Sequence, residues 1–197
     1  MGQTPLCPLH AVYDAQAQFS NEQGANCWSY YDTDENVLAF DASAQRWMSR
    51  NDPGLFVWRT GLHPGISIDV MRRWTAPVDG VVTLQGTLSD ADSGGGDGIT
   101  SEIRTQDGVV FQTVIANGGA PASFDVSLNV RRGETIDILV RRNDTNSWDS
   151  TGLTATLTFE SAVSTAGLDW STCARGVVNS FARHAAWHSG TARGHQT

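Results

Sequence analysis

The chain has 197 residues, 40% of them hydrophobic, and a formal net charge of −8. That length gives one domain, with or without a tail, and enough chain to bury a real core. An acidic surface on which all 13 basic residues are arginine argues against a nucleic-acid partner, and no apolar run approaches the roughly 18 residues of a membrane-spanning helix.

Three cysteines, Cys7, Cys27 and Cys173, show no zinc-type spacing. They allow at most one disulfide, whose pairing the sequence leaves open. The opening MGQTPLCPLH lacks a basic segment followed by an apolar stretch and reads as carrying no signal peptide. A mature secreted fragment and a cytosolic protein would both begin this way.

Residues 1–11 read as a lead-in, and Val12 and Tyr13 as the apolar points of a first strand. The polar stretch after Phe19 ends in Trp28, Tyr30 and Tyr31; alternation puts Trp28 and Tyr30 on one face of a strand and Tyr31 on the other. Val37–Phe40 is a short apolar segment. Residues 41–54 carry Trp47 and close on the turn Asp52-Pro53-Gly54. A short strand with Trp58 follows, then a Pro64-Gly65 turn preceded by His63.

From Ile66 the period-two pattern becomes regular. Ile66, Ile68, Val70, Arg72 and Trp74 share one face of an extended run. Val82, Leu84, Gly86 and Leu88 share another, and Ile99, Ser101 and Ile103 a third. Gln106-Asp107-Gly108 reads as a hairpin turn into Val109, Phe111, Thr113 and Ile115. Phe124, Val126, Leu128 and Val130 alternate with polar residues, as do Ile136, Ile138 and Val140, and finally Leu153, Ala155, Leu157 and Phe159. Such runs joined by short Gly, Asp and Asn turns predict an all-β protein, an antiparallel β-sandwich of jelly-roll-like form over residues 12–160. Residues 161–197 lack the alternation and read as an irregular or short-helical C-terminal tail or linker. His184 and His188 stand four apart there, but without a further ligand they read as part of a frayed tail.

The densest polar stretch is Ser89–Thr100, SDADSGGGDGIT, with three carboxylates and four glycines. Glycine lets carbonyls turn inward and aspartate supplies hard anionic oxygen, so Asp90, Asp92 and Asp97 could hold a structural Ca²⁺ or sugar hydroxyls. A solvated glycine-rich connection is the plainer reading.

Several motifs, taken in order, resemble a known kind of protein. FSNEQGANCWSY (residues 19–30), His63-Pro64-Gly65, Arg72-Arg73-Trp74-Thr75, Gly94–Gly98 and Asp149-Ser150-Thr151 are similar to a bacterial jelly-roll-like carbohydrate-binding accessory module. That module is found beside polysaccharide lyases, glycoside hydrolases and related secreted proteins. The resemblance covers roughly residues 12–160. Cys27 departs from the pattern, and the tail has no counterpart. It implies a secreted or extracellular module that binds a polysaccharide or oligosaccharide beside the catalytic domain of a parent multi-domain enzyme, with no nucleic-acid or membrane partner.

Sugar binding needs an aromatic plane for pyranose C–H faces and planar polar groups for paired hydrogen bonds. The expected ligand contacts are Trp28, Tyr30, Trp58, His63, Arg72, Asp97, Trp148 and Asp149. Trp148 lies in the polar loop 143–151, out of register with any core strand, and is the best candidate for an exposed ring. Trp74 is in register with aliphatics and is expected in the core. His63 either caps its turn or meets a ligand. Arg72 on the core side needs a buried acid, with Asp97 or Asp149 expected to supply it. Arg131, Arg132, Arg141 and Arg142 form pairs that could be a basic stripe for acidic glycans; strand-edge charges that discourage edge pairing are the preferred reading.

The rival readings are catalytic and structural. A polysaccharide lyase would draw on Tyr30, His63 and Arg72, and a glycoside hydrolase on two facing carboxylates. No GxSxG, HExxH or P-loop occurs. A purely structural sandwich is the third reading, since one fold hosts many functions.

Overall fold

The computed structural model describes residues 7–92 and 94–160. Along them run β1 (Val12–Asp14), β2 (Trp28–Asp32), β3 (Ala39–Asp41), β4 (Arg46–Met48), β5 (Phe56–Trp58), β6 (Gly61–His63), β7 (Val70–Thr75), β8 (Gly80–Asp90), β9 (Ile99–Thr105), β10 (Gly108–Ile115), β11 (Ala122–Val130), β12 (Thr135–Arg142) and β13 (Thr151–Phe159). A single 3-10 turn, Ala25–Cys27, precedes β2. The strands form two antiparallel sheets. One has the order β11-β8-β13-β6-β5-β4-β3, with β1 added beside β13; the other is β10-β9-β12-β7-β2. From β6 to β13 the chain crosses between the sheets at every step except the β9–β10 hairpin, which is the wrapping of a jelly roll. The all-β sandwich expected from the alternation is therefore observed.

The period-two positions face inward. Val82, Leu84 and Leu88 of β8, Ile103 of β9, Ile136, Ile138 and Val140 of β12, and Leu153 and Leu157 of β13 are buried between the sheets. Trp74 is buried with them, as its register predicts. Gly86 lies between Phe124 and Ala155 of the flanking strands. A Cβ at Gly86 would strike the Thr154 carbonyl and the Phe124 ring, so the glycine makes room for the aromatic.

In the strands and their flanking turns, two features differ from the sequence reading. Ile66 and Ile68 do not extend the strand of Trp74: β7 begins at Val70, Gly65 N donates to Ile68 O at 2.9 Å to close a turn, and Ile66 is exposed. The arginine pairs are neither a basic stripe nor edge charges. Arg141 and Arg142 end β12, an interior strand, and Arg131 and Arg132 lie in the turn before it. Arg141 is neutralised by Asp69 at 2.9 Å and by Glu102 at 3.6 Å.

Cys7 and Cys27, 20 positions apart in sequence, are joined by a disulfide with Cα atoms 4.9 Å apart. It ties the lead-in to the start of β2. A thiol titration of the denatured, unreduced chain is expected to find one reactive thiol, that of Cys173; three would remove the bridge. Closing a loop of this size contributes about 3 kcal/mol, so reduction should lower the melting temperature by roughly 6–12 °C. The expected tail at 161–197, with His184 and His188, lies outside the described residues.

Candidate functional site

The loops 49–55, 64–69, 91–98, 116–121 and 143–150 lie at one end of the sandwich, where β4, β6, β8, β10 and β12 terminate. Short polar contacts tie them together. Gly118 N donates to Asp90 Oδ2 at 2.6 Å, and Ser150 N to Asp92 Oδ2 at 2.8 Å. Asn143 Nδ2 donates to Asp97 O at 3.0 Å, and Asn146 Nδ2 reaches Pro64 O at 3.5 Å. The acidic side chains thus act first as acceptors for loop backbone, a use that suits Asp in turns.

Trp148 stands at the centre of this end. Its backbone is left-handed, with φ 65°. Its ring lies over Gly94 and Gly95, with its Cβ against Gly96, so close that a Cβ on Gly94 would come within 2.8 Å of the ring. This is what the glycine run does: it forms a bare backbone floor on which one face of the indole rests. The ring is 55% exposed, and among the described residues Trp148 is the one aromatic with most of its surface in solvent.

Asp97 accepts from Asp144 N at 2.7 Å and Thr145 N at 3.1 Å, fixing the root of the same loop. Burial works against its ionisation, but the N–H groups of Thr145 and Asp144 outweigh it and hold the carboxyl below the ordinary aspartate range. Asp149 is the opposite case. It is buried, and neither carboxylate oxygen has a hydrogen-bond partner among the described residues. Burial, then the charges of Asp97, Asp90 and Asp92, push its pKa up to about 7. The expected Ca²⁺ ligands Asp90, Asp92 and Asp97 do not converge: among the described residues no three His, Cys, Asp or Glu side chains gather as a metal cluster.

His63 adjoins this end through Pro64. Its Nδ1 lies 2.8 Å from Gly54 O and 2.7 Å from Pro64 O, so that nitrogen carries the proton and caps the turn. Its ring stacks on Phe56 at 4.9 Å, and the Arg46 guanidinium lies 4.2 Å from the Phe56 ring centre. Trp58, on the same outward face of β5, packs against Gly61 and donates from Nε1 to Thr60 Oγ1 at 2.8 Å. Asp52, read only as a turn residue, is buried and accepts from Gly54 N and Ser67 N, locking the 52–67 turn beside His63.

Three expected ligand contacts are instead in the core. Trp28, Tyr30 and Arg72 are buried. β2 pairs with β7 so that Trp28 faces Trp74 and Tyr30 faces Arg72, and Trp47 stacks on Tyr30 at 4.9 Å. Arg72 has neither Asp97 nor Asp149 as partner. Its guanidinium lies 5.0 Å from the Trp28 ring, 5.3 Å from Tyr30 and 5.6 Å from Phe19, and it donates to the carbonyls of Ala15 and Arg59. Tyr31, on the other face of β2, is half-buried beneath Arg73. Burial of Tyr30 and Arg72 also takes away two of the three groups imagined for a lyase.

No sequence family matches the chain, and no curated protein matches it. Among solved structures it is similar to CBM51 from Clostridium perfringens GH95 in complex with methyl-galactose, at 14% identity over 75% of this chain and 99% of that one, with a TM-score of 0.41. It is similar to a native family 35 carbohydrate-binding module from Clostridium thermocellum, at 12% identity over 68% of this chain and 98% of that one, TM-score 0.34. It is also similar to rabbit GITRL, at 9% identity over 48% of this chain and 74% of that one, TM-score 0.34.

Proposed function

We propose that the chain is a non-catalytic carbohydrate-binding module that holds a polysaccharide or oligosaccharide at the loop end of the sandwich. The observation that carries this reading is Trp148: a flat apolar face turned to solvent and pre-set by its glycine floor. An indole already immobilised loses little freedom when a pyranose ring stacks on it. Polar side chains that can bridge adjacent hydroxyls, Asn146 and Asn117 among them, lie in the loops that meet beside it. Trp58 and His63, half-buried on the adjoining face, are further contacts for a longer chain. The ordered motifs from Phe19 to Thr151 support the same reading. A Cys7–Cys27 bridge suits an oxidising, extracellular compartment, and a module of this kind serves a catalytic domain by holding it on its polymer.

The test is affinity electrophoresis and array binding against plant and algal polysaccharides, with end-group analysis of the same samples. Binding without new reducing or unsaturated ends is expected. Trp148→Ala should weaken that binding about tenfold or more, while the melting temperature stays within about 3 °C because the ring is largely outside the core. Undiminished affinity in the variant removes Trp148 from the site, and new chain ends make the protein an enzyme.

A further inference from the structure

Each sheet ends in a long unpaired strand, and the two lie on the same side of the sandwich: β10 closes one sheet and β11 the other. They differ in what they show to solvent. β11 turns Ser123, Asp125, Ser127 and Asn129 outward, a polar row with a charge, which is how a free edge avoids pairing. β10 reads GVVFQTVI, with no charge and no proline. Val109, Val110 and Val114 are exposed on it, Val114 to 68%. Among the described residues no strand or loop backbone bonds to its outer edge. An apolar, uncharged free edge is a template for another strand.

One protective device is present, and it is local. The register of β10 on β9 steps from Val109–Arg104 to Phe111–Ile103, so Val110 is the extra residue of a β-bulge. From Phe111 to Ile115 the pairing is regular and the edge runs straight. Val110 instead lines a groove of about 250 Å³ between the two free strands, with Leu128 and Val130 of β11. Phe111, Val126 and Leu128 face inward by alternation yet are only partly buried. The side of the sandwich is thus open between its edges. No exposed aromatic ring lies along this strip for a sugar to stack on. The chain carries a net charge of −8, which repels a second copy from most of its surface. Along β10 that repulsion is weakest: the strand itself is neutral, and Asp125 of β11 accepts from Gln85 Nε2 at 2.8 Å.

We propose that β10 is the interface of a homodimer, in which Phe111–Ile115 of one copy pairs antiparallel with the same segment of the other. A strand edge is complementary to its own antiparallel copy, because its N–H and C=O groups alternate along it. The twofold axis stands normal to the sheets, and the two five-stranded sheets become one continuous sheet. The same axis sets the two open grooves face to face, so that Val110 and Leu128 of each copy cover the other's gap. Antiparallel pairing also points the two Trp148 ends in opposite directions. Such a dimer bridges two polymer chains instead of gripping one twice; that consequence alone rests on the glycan reading, and the test of the dimer involves no glycan.

The experiment is sedimentation velocity of the full chain, its Cys173 thiol alkylated, from about 1 µM to about 1 mM, paired with amide hydrogen exchange at both extremes. A shift from monomer to dimer is expected across that range, with alternate amides of Phe111–Ile115 exchanging about tenfold more slowly in the concentrated sample. Val114→Lys brings two like charges into one small interface and should raise the dimer dissociation constant about tenfold or more. Its melting temperature in dilute solution should stay within about 3 °C of the wild type, because Val114 is outside the core. Val37→Lys is the control: Val37 is also an exposed valine, but it bridges to Tyr31 at the opposite edge of the sheet, and its dimer should be unchanged. A monomer at every concentration overturns the proposal. So does a dimer whose β10 amides exchange as fast as in dilute solution, or one that Val37→Lys weakens as much as Val114→Lys. Where Val114→Lys does not fold, the exchange rates of the wild type decide by themselves.

Discussion

Arg72→Ala should destabilise the domain by about 4 kcal/mol, and Arg72→Met by about half as much. The guanidinium is fully buried without a carboxylate partner. Burial drives its pKa down, and the Tyr30 hydroxyl and the charge of Asp14 act in the opposite direction. What holds the cation is therefore the faces of Phe19, Trp28 and Tyr30, together with the carbonyls of Ala15 and Arg59. A desolvated cation on an aromatic face is worth roughly 2 kcal/mol or more, set against the cost of removing the charge from water. Alanine loses both the charge and the volume: three ring faces are left around a cavity, and two carbonyls lose a donor. Methionine keeps the stem and most of the packing and needs no solvation, so only the carbonyl donors are lost. In melting temperature the alanine loss is roughly 8–16 °C for a domain of this size. An alanine variant within about 1 kcal/mol of the wild type would show that the cage closes without its cation.

This prediction also marks where the sequence stopped being informative. Alternation placed Arg72 on the face of Trp74 and placed Trp28 with Tyr30, and both pairings are observed. Alternation cannot say which face of a strand is buried. Trp28 and Tyr30 were read as platforms because nothing local marks β2 as the strand that lies against β7. The long regular strands β8 to β13 were legible because one wet face imposes a period of two over many residues. The three-residue strands β3 to β6 were only partly so, since three residues carry barely one period. At the loop end, the exposure of Trp148 was legible from the polarity of its neighbours. The role of the glycines as its floor was not, because Gly94–Gly96 and Trp148 are far apart in sequence. Asp90, Asp92 and Asp97 attracted attention by crowding, yet their oxygens serve backbone N–H groups on neighbouring loops. Asp149 belongs to an ordinary-looking DST; its isolation is created by what β8, β10 and the 91–98 loop do not offer it.

The stability of the wild type should fall as pH rises from about 4 to about 7, relative to Asp149→Asn. An unfolded aspartate gives up its proton near 3.8, whereas folded Asp149 keeps it until about 7. Between those values the folded chain binds the extra proton, so stability decreases with rising pH. Below the window both states are protonated and above it both are ionised, so the profile levels at each end. The groups facing Asp149 are Asp90 from β8 and Asp92 and Asp97 from the following loop; Ile99 and Ile115, from β9 and β10, bring no charge. A rise of this size corresponds to a loss on the order of 4 kcal/mol across the window. Asparagine has the same shape and no proton to lose. The difference between the two proteins therefore isolates Asp149 from Asp97, whose lowered pKa contributes with the opposite sign in both. Denaturant unfolding at intervals from pH 4 to pH 8 measures it. Parallel profiles would mean that Asp149 ionises as an ordinary surface acid.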